Sequence, residues 1–337
     1  MARQTTAGCT CADPGDSIHS EQGGADGRRS TARRSRSERG TAHHAHCLRH
    51  VPRSARSRHV LDRFRLYLRS PWAPHIRSFA VDDADGRLAG SNFATRWGSL
   101  GFFGPLSIRP DLWDRGLAQP LVAAATAAFD EWGLAHAGLC TFPQSTKHIH
   151  LYRKFGYHPR FLTPIMAAPA AAGVLPESAR YSGLAPADRA AAEAESAVLT
   201  DGLYAGLDLR EEIRTNTARS HGDTLLLWDG SRLGGLAVCH WGPASEAGAD
   251  CLFIKFGAVR SGPAASERFG ALLDAAGALA ASVGMGKVLA GVNSAREEAY
   301  AQMIGRGFRG VVNVVTMHRP NEPGYSRPGV FALDDWR

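Results

Sequence analysis

Asp85-Gly-Arg-Leu-Ala-Gly-Ser-Asn-Phe-Ala-Thr-Arg-Trp-Gly98 returns without a gap as Asp229-Gly-Ser-Arg-Leu-Gly-Gly-Leu-Ala-Val-Cys-His-Trp-Gly242. In each stretch Asp-Gly supplies the left-handed turn of a hairpin, and an apolar strand follows. The correspondence continues downstream: Phe103-Gly104 answers to Phe256-Gly257, and Gly156-Tyr157 to Gly307-Phe308. Met166 and Met317 then stand at the same distance beyond Tyr157 and Phe308. Shared order and near-constant spacing imply two copies of one α/β unit.

Each copy reads as hairpin, strand, helix, strand, helix, strand. In the first, Phe79-Ala-Val81 and Gly90–Trp97 form the hairpin, and Gly101–Ile108 is the next strand. Leu117–Trp132 is Ala-rich, with Leu121, Val122 and Phe129 for an apolar stripe, and it ends at Gly133. Ala137–Phe142 is a buried strand, Thr146–Phe155 a helix stopped by Gly156, and Phe161–Met166 a final strand. Right-handed crossovers make the centre of each sheet parallel. The fold class is therefore α/β: two tandem units, each a mixed, centrally parallel sheet flanked by helices. Residues 61–168 form the first domain and 178–318 the second, with an Ala/Pro linker, Ala167–Pro176, between them. Leu184–Arg219, largely helical, opens the second domain. Residues 319–337 are a C-terminal extension, and the Pro-rich run Met317–Tyr325 is expected on the surface.

The 337 residues suffice for two domains, and a hydrophobic content of 44% suffices for their cores. The net charge of +7 is unevenly placed. Residues 1–60 hold eleven Arg and no Lys against five acidic residues, which leaves +1 for everything after them. The near-neutral body argues against a nucleic-acid-binding fold, although the tail alone could hold polyanions. Those first sixty residues lack hydrophobic periodicity and are expected to be a disordered basic tail. His43, His44, His46 and Cys47, with Cys9 and Cys11 upstream, fit no zinc-ligand spacing, so no metal is expected. Cys140, Cys239 and Cys251 lie in apolar stretches and read as buried thiols. With neither a secretory leader nor a run of apolar residues long enough to span a bilayer, the expectation is a soluble, cytoplasmic protein and no membrane partner.

Chemistry concentrates in Leu106-Ser-Ile-Arg-Pro-Asp-Leu-Trp-Asp-Arg-Gly-Leu-Ala-Gln-Pro-Leu121. A strand ends at Arg109-Pro110, and a short loop carrying Arg115-Gly116-Leu-Ala118 enters a helix. Free N–H groups at a helix start, aided by the helix dipole, make an anion site, and the small Gly116 and Ala118 let a phosphate approach. By itself such a turn is ordinary. About thirty residues on, however, comes Leu151-Tyr152-Arg-Lys154-Phe155-Gly156-Tyr157.

In these two motifs the chain resembles the GNAT N-acetyltransferase superfamily of bacterial and other acetyltransferases. That family places Gln/Arg-x-x-Gly-x-Gly/Ala before a helix and a motif ending Leu-Tyr-x-Lys-x-Gly-Phe downstream. The likeness covers roughly residues 75–166 and, more weakly, 178–318. It implies acetyl-CoA as co-substrate and a small-molecule or protein amine as acceptor. The main chain of Ser107, Ile108 and Arg109 would pair with the pantetheine arm. The N–H groups of Arg115, Gly116, Leu117, Ala118 and Gln119 would hold the pyrophosphate, and Ser145 takes the place of the family's usual Asn. Tyr152 would protonate the departing CoA thiolate, and His148, one turn earlier, could assist the incoming amine. Both have plainer alternatives, Tyr152 as a core aromatic and His148 as a surface or capping histidine. Lys147 near the helix start could meet a phosphate.

Two departures bear on this. Trp113 stands where the family has Gln or Arg, which removes one side-chain contact to phosphate. In the second copy the loop Ser261-Gly-Pro-Ala-Ala-Ser-Glu-Arg268 lacks the glycine register and sets Glu267 at the anion position, while Met303 replaces Tyr152. That copy is expected to be a catalytically silent scaffold closing over the acceptor site. A non-catalytic acyl-CoA-binding or regulatory protein is the competing expectation.

Overall fold

Alternating burial along Leu88–Trp97 and a continuous apolar run along Arg232–Gly242 give these matching segments the two faces of strands. The Asp-Gly turns before them are left-handed at glycine, with φ of 76° at Gly86 and 62° at Gly230. A computed structural model describes residues 64–67, 73–175, 179–242 and 245–336. The expected tail disorder and the His43–Cys47 cluster lie outside the described residues, all of which belong to one compact unit.

The first copy contributes β1 (Phe64–Tyr67), β2 (Ile76–Asp82), β3 (Leu88–Trp97), β4 (Leu100–Phe103), β5 (Ser107–Ile108), α1 (Ala118–Glu131), β6 (His136–Thr141), α2 (Thr146–Arg153) and β7 (His158–Pro169). The second contributes α3 (Pro186–Asp201), α4 (Arg210–Ala218), β8 (Gly222–Asp229), β9 (Arg232–Gly242), β10 (Gly248–Val259), α5 (Ala265–Ser282), β11 (Lys287–Gly291), α6 (Glu297–Gly305) and β12 (Arg309–Arg319), and β13 (Ala332–Asp334) follows. The expected single strand Gly101–Ile108 is broken into β4 and β5 at Gly104-Pro105, where Pro has no N–H for a ladder. The expected helical stretch Leu184–Arg219 is likewise two helices, separated around Gly202–Leu209.

One sheet joins both copies in the order β1-β2-β3-β4-β6-β12-β7-β11-β10-β9-β8. The last strand of each copy is exchanged: β12 pairs with β6 of the first copy, and β7 pairs with β11 of the second. β7 and β12 pair with each other through Thr163↔Val314. Those residues stand equally far beyond the matching Gly156 and Gly307, so a pseudo-twofold axis passes between them. Neither copy completes its sheet alone, and separating them would expose ladder hydrogen bonds as well as core.

Three apolar clusters follow. One packs α1 and α2 on the first copy, with Phe103, Leu121, Phe129, Leu139 and Tyr157. Its counterpart packs α5 and α6 on the second, with Phe269, Leu272 and Leu279. The third is shared on the other face: Trp97 and Phe102 of the first copy meet Leu236, Val238 and Phe256 of the second beneath α3 and α4. The C-terminal extension differs most from its expected surface position. Tyr325 and Val330–Trp336 are buried, and Tyr325, Ala332 and Trp336 belong to the shared core.

Candidate active site

β5 lies on β3 because residue 90 is glycine. A Cβ there would meet Ile108 Cδ1 at 2.4 Å and Ser107 O at 2.7 Å. The parallel pairing of β4 with β6 runs from Leu100↔His136 to Phe102↔Gly138 and stops, while β5 continues on β3 alone. A wedge therefore opens between β5 and the second half of β6. Arg109 N–H donates to Ala89 O at 2.8 Å, so the alternation of an antiparallel ladder turns the N–H and C=O of Ile108 into the wedge. The main-chain groups of Ser107 and the N–H of Arg109 face β3 instead, and Arg109 O accepts from Leu112 N–H at 2.9 Å. Trp113 is exposed, and its indole N–H donates to Ile108 O at 2.9 Å.

The loop beyond β5 makes a second feature. Asp114 and Gly116 have φ of 63° and 78°, and this turn delivers the chain to the start of α1. Among the described residues, the N–H groups of Arg115, Gly116 and Leu117 have no acceptor. Gln119 N–H is engaged by Gly116 O at 3.2 Å, and Pro120 has none to offer. A Cβ on Gly116 would find nothing nearer than Gln119 Nε2 at 4.0 Å, so the space beside these donors is open. Unpaired donors at the positive end of a helix suit a phosphate. Ala118, the first residue of α1, is half-buried beside them.

α2 brings the second motif to the same place. Ser145 is its N-cap residue but makes no capping bond with its side chain, and Lys147 pairs with Asp114 across the two loops. Tyr152 is buried edge-on against Phe103, with ring centroids 5.7 Å apart. Burial, helped by Cys140 on β6, pushes its phenol well above the usual tyrosine range, and its hydroxyl has no hydrogen-bond partner among the described residues. His148 is exposed, 6.4 Å from the Tyr152 ring, and partial burial with Lys147 nearby lowers its pKa. The stretch from Trp132 to Pro176 has no acidic residue, and α2 adds the exposed Lys147, His150 and Arg153. Anions therefore meet a favourable field at this end of the wedge.

The second copy shows the same wedge filled. Pairing of β10 with β11 ends at Ile254↔Ala290, and β13 then pairs with β10 through Phe256↔Asp334 and Ala258↔Ala332. On the far side, a Cβ on Gly291 would meet Asp335 Cβ at 2.5 Å and Asp334 O at 2.8 Å. Arg296, the N-cap residue of α6, is fully buried and holds Asp334 at 2.7 Å and Ala332 O at 2.9 Å. Met303 is buried in the core where the first copy has Tyr152, and Glu267 is exposed on the first turn of α5. A cavity of about 1080 Å³ lies nearby, between Ala171–Leu175, β8 and α5, but Asp229, Glu267 and Asp274 line it.

The loop, Tyr152 and His148 thus come together around one wedge. Gly90 is a further residue of this site, and its signal in the sequence is a glycine inside a strand, which marks close backbone approach. Nothing in the sequence pointed to Arg296 and Asp334. Among the described residues no group of three His, Cys, Asp or Glu could hold a metal ion, and no helix is long and apolar enough to cross a membrane.

Residues 46–157 match the family described as Acetyltransferase (GNAT) family. No curated protein matches the chain. Among solved structures, a provisionally named acetyltransferase from Pyrococcus horikoshii is 10% identical with a TM-score of 0.53, covering 78% of this chain and 79% of that one. It shares the fold. A GCN5-related N-acetyltransferase from Sphaerobacter thermophilus is 18% identical with a TM-score of 0.49, covering 73% and 81%. A tandem GNAT protein from the clavulanic acid biosynthesis pathway is 14% identical with a TM-score of 0.43, covering 72% and 82%.

Proposed function

We propose, on the match of residues 46–157 to the Acetyltransferase (GNAT) family, that the first copy, within residues 61–168, is an acetyl-CoA-dependent N-acetyltransferase. The acceptor is an amine of a small molecule or a protein. The observation that carries this reading is the open wedge between β5 and β6, into which Ile108 turns its N–H and a C=O held only by the Trp113 indole, with an anion-binding turn at its end. An extended amide-bearing arm can add to such an edge as a strand does.

In this reading the main chain of Ser107–Arg109, through Ile108 above all, lines the pantetheine arm. Arg115, Gly116, Leu117, Ala118 and Gln119 surround the pyrophosphate, with Ser145 beside them. The amine nitrogen attacks the thioester carbonyl, a C–N bond forms and the C–S bond breaks. Tyr152 gives its proton to the departing thiolate, and His148 or water takes the proton released by the amine. The raised pKa of Tyr152 keeps it protonated, and a thiolate expelled beside this buried phenol becomes more basic too. Positioning within the wedge supplies much of the remaining acceleration. The second copy, residues 178–318, serves as scaffold.

Release of free CoA thiol from acetyl-CoA, measured with a panel of amines, tests the activity. A fall in turnover on Tyr152→Phe with acetyl-CoA binding unchanged supports the general-acid role, and full turnover in that variant removes it. A second reading is a non-catalytic acyl-CoA-binding or regulatory protein, in which the wedge holds the arm and no amine is acetylated. Binding of acetyl-CoA without thiol release under any amine would select that reading.

A further inference from the structure

The two wedges of this chain are equivalent by the repeat yet differ in content, and the difference is built from specific residues. In the second copy the C-terminal segment enters from the face of the shared core. It runs as β13 along the edge of β10, with Val259 N–H reaching Phe331 O at 3.2 Å. Val259 is the counterpart of the β5 region of the first copy, since both precede the loop leading to the long helix. The strand thus lies along the path that a pantetheine arm would take.

Its fixation is thorough. Arg296 pairs with Asp334, donates to Ala332 O and to Ser326 Oγ at 3.1 Å, and lies over the Tyr325 ring at 4.8 Å. The Tyr325 hydroxyl donates to Asp334 Oδ2 at 3.0 Å and accepts from the Trp336 indole at 3.1 Å. Trp336 ends against Gly138, where a Cβ would meet its ring at 2.1 Å. Gly138 in β6 and Gly291 in β11 are both closed over by this one segment on its way from the second copy to the first. At the N-cap position the first copy has the short Ser145 and the second the long Arg296, and no segment fills the first wedge among the described residues.

We infer that residues 331–335 are a built-in ligand of the second copy, filling its strand wedge so that the protein takes one acyl-CoA per chain, at the first copy alone. The identity of the ligand excluded rests on the proposed function; the occupation of the wedge does not. A pantetheine arm, offering only amide hydrogen bonds, would have to displace the buried Arg296–Asp334 pair and the Tyr325 and Trp336 contacts together.

Calorimetric titration of acetyl-CoA into the full chain, read together with amide hydrogen exchange, tests this. The expected result is one acetyl-CoA per chain, with added protection at Ile108 and Arg115–Ala118. Amides of residues 254–259 and 332–334 are expected to be protected before acetyl-CoA is added and unchanged after it. Binding of two per chain, new protection at Gly262–Ser266, or loss of protection in residues 332–334 on adding acetyl-CoA would overturn the inference. No binding at all, with residues 332–334 protected throughout, would overturn the proposed function and the stoichiometry drawn from it, and would leave the occupation of the second wedge by residues 331–335 standing.

Discussion

Ser145 and Arg296 stand at the same point of the two copies, each the N-cap residue of the helix after a wedge strand, and only Arg296 reaches back to hold a strand in its wedge. Both members of the Arg296–Asp334 pair are cut off from water, so removing one strands the other's charge. Arg296→Met is expected to cost about 3–5 kcal/mol in urea denaturation. Adding Asp334→Leu should restore a large part of that loss. A single variant as stable as the parent would mean that the clamp does not hold β13.

Gly90 and Gly116 are glycines for different reasons. At Gly90 the obstacle is contact, so Gly90→Ala should push β5 away from β3 into the wedge and weaken acetyl-CoA binding at least tenfold. At Gly116 space is free and only φ of 78° is at issue, so Gly116→Ala should cost roughly 1–2 kcal/mol of loop strain. Calorimetry and thermal denaturation on both variants separate the two effects. Equal acetyl-CoA affinity in Gly90→Ala and the parent would remove β5 from the site.

Trp113 competes for the carbonyl that an arm in the wedge would use. Trp113→Phe deletes the indole donor while keeping an aromatic ring, and acetyl-CoA should bind about 3- to 10-fold more tightly, the worth of one ordinary hydrogen bond. Weaker binding in Trp113→Phe would show instead that the indole itself contacts the ligand.

The two-copy fold, the phosphate-type loop and the downstream tyrosine were legible because each is local: Asp85–Gly98, Arg115–Ala118 and Leu151–Tyr157 carry their structure in consecutive residues. The strand exchange was not. Phe161–Met166 has the same alternating pattern whether it pairs inside its own copy or across the dyad, and no residue in it specifies the partner. β13 was hidden for a similar reason, since Ala332-Leu-Asp334 is too short for periodicity and follows a Pro-rich run that reads as surface. The orientation of Ile108 depends on the register with Gly90, and that register is a property of the folded sheet.

His136 and His318 meet at 3.1 Å where β6 and β12 pair, both buried. Burial, with Arg160 adding to it, lowers His136 to about 4. Burial and the facing His136 lower His318 to about 3. The unfolded chain protonates these groups near 6.5, before the folded one does, so stability should be full above pH 7 and fall from about pH 6.5 toward 4. Each group contributes up to about 1.4 kcal/mol per pH unit within that window. Urea denaturation at pH 7, 6 and 5 checks this, and the paired variant His136→Gln, His318→Gln should show a flatter profile. An unchanged slope in that variant would assign the acid sensitivity elsewhere.

The most direct test of the first copy as the acyl-donor site is a crystal structure of the full chain grown with CoA. The expected result is the pantetheine arm between β5 and β6, hydrogen-bonded to the main chain of Ile108, with the pyrophosphate at the N–H groups of Arg115–Ala118 and the sulfur near Tyr152. CoA bound in the cavity beside Asp229 and Glu267, or in the second wedge in place of β13, would contradict the account.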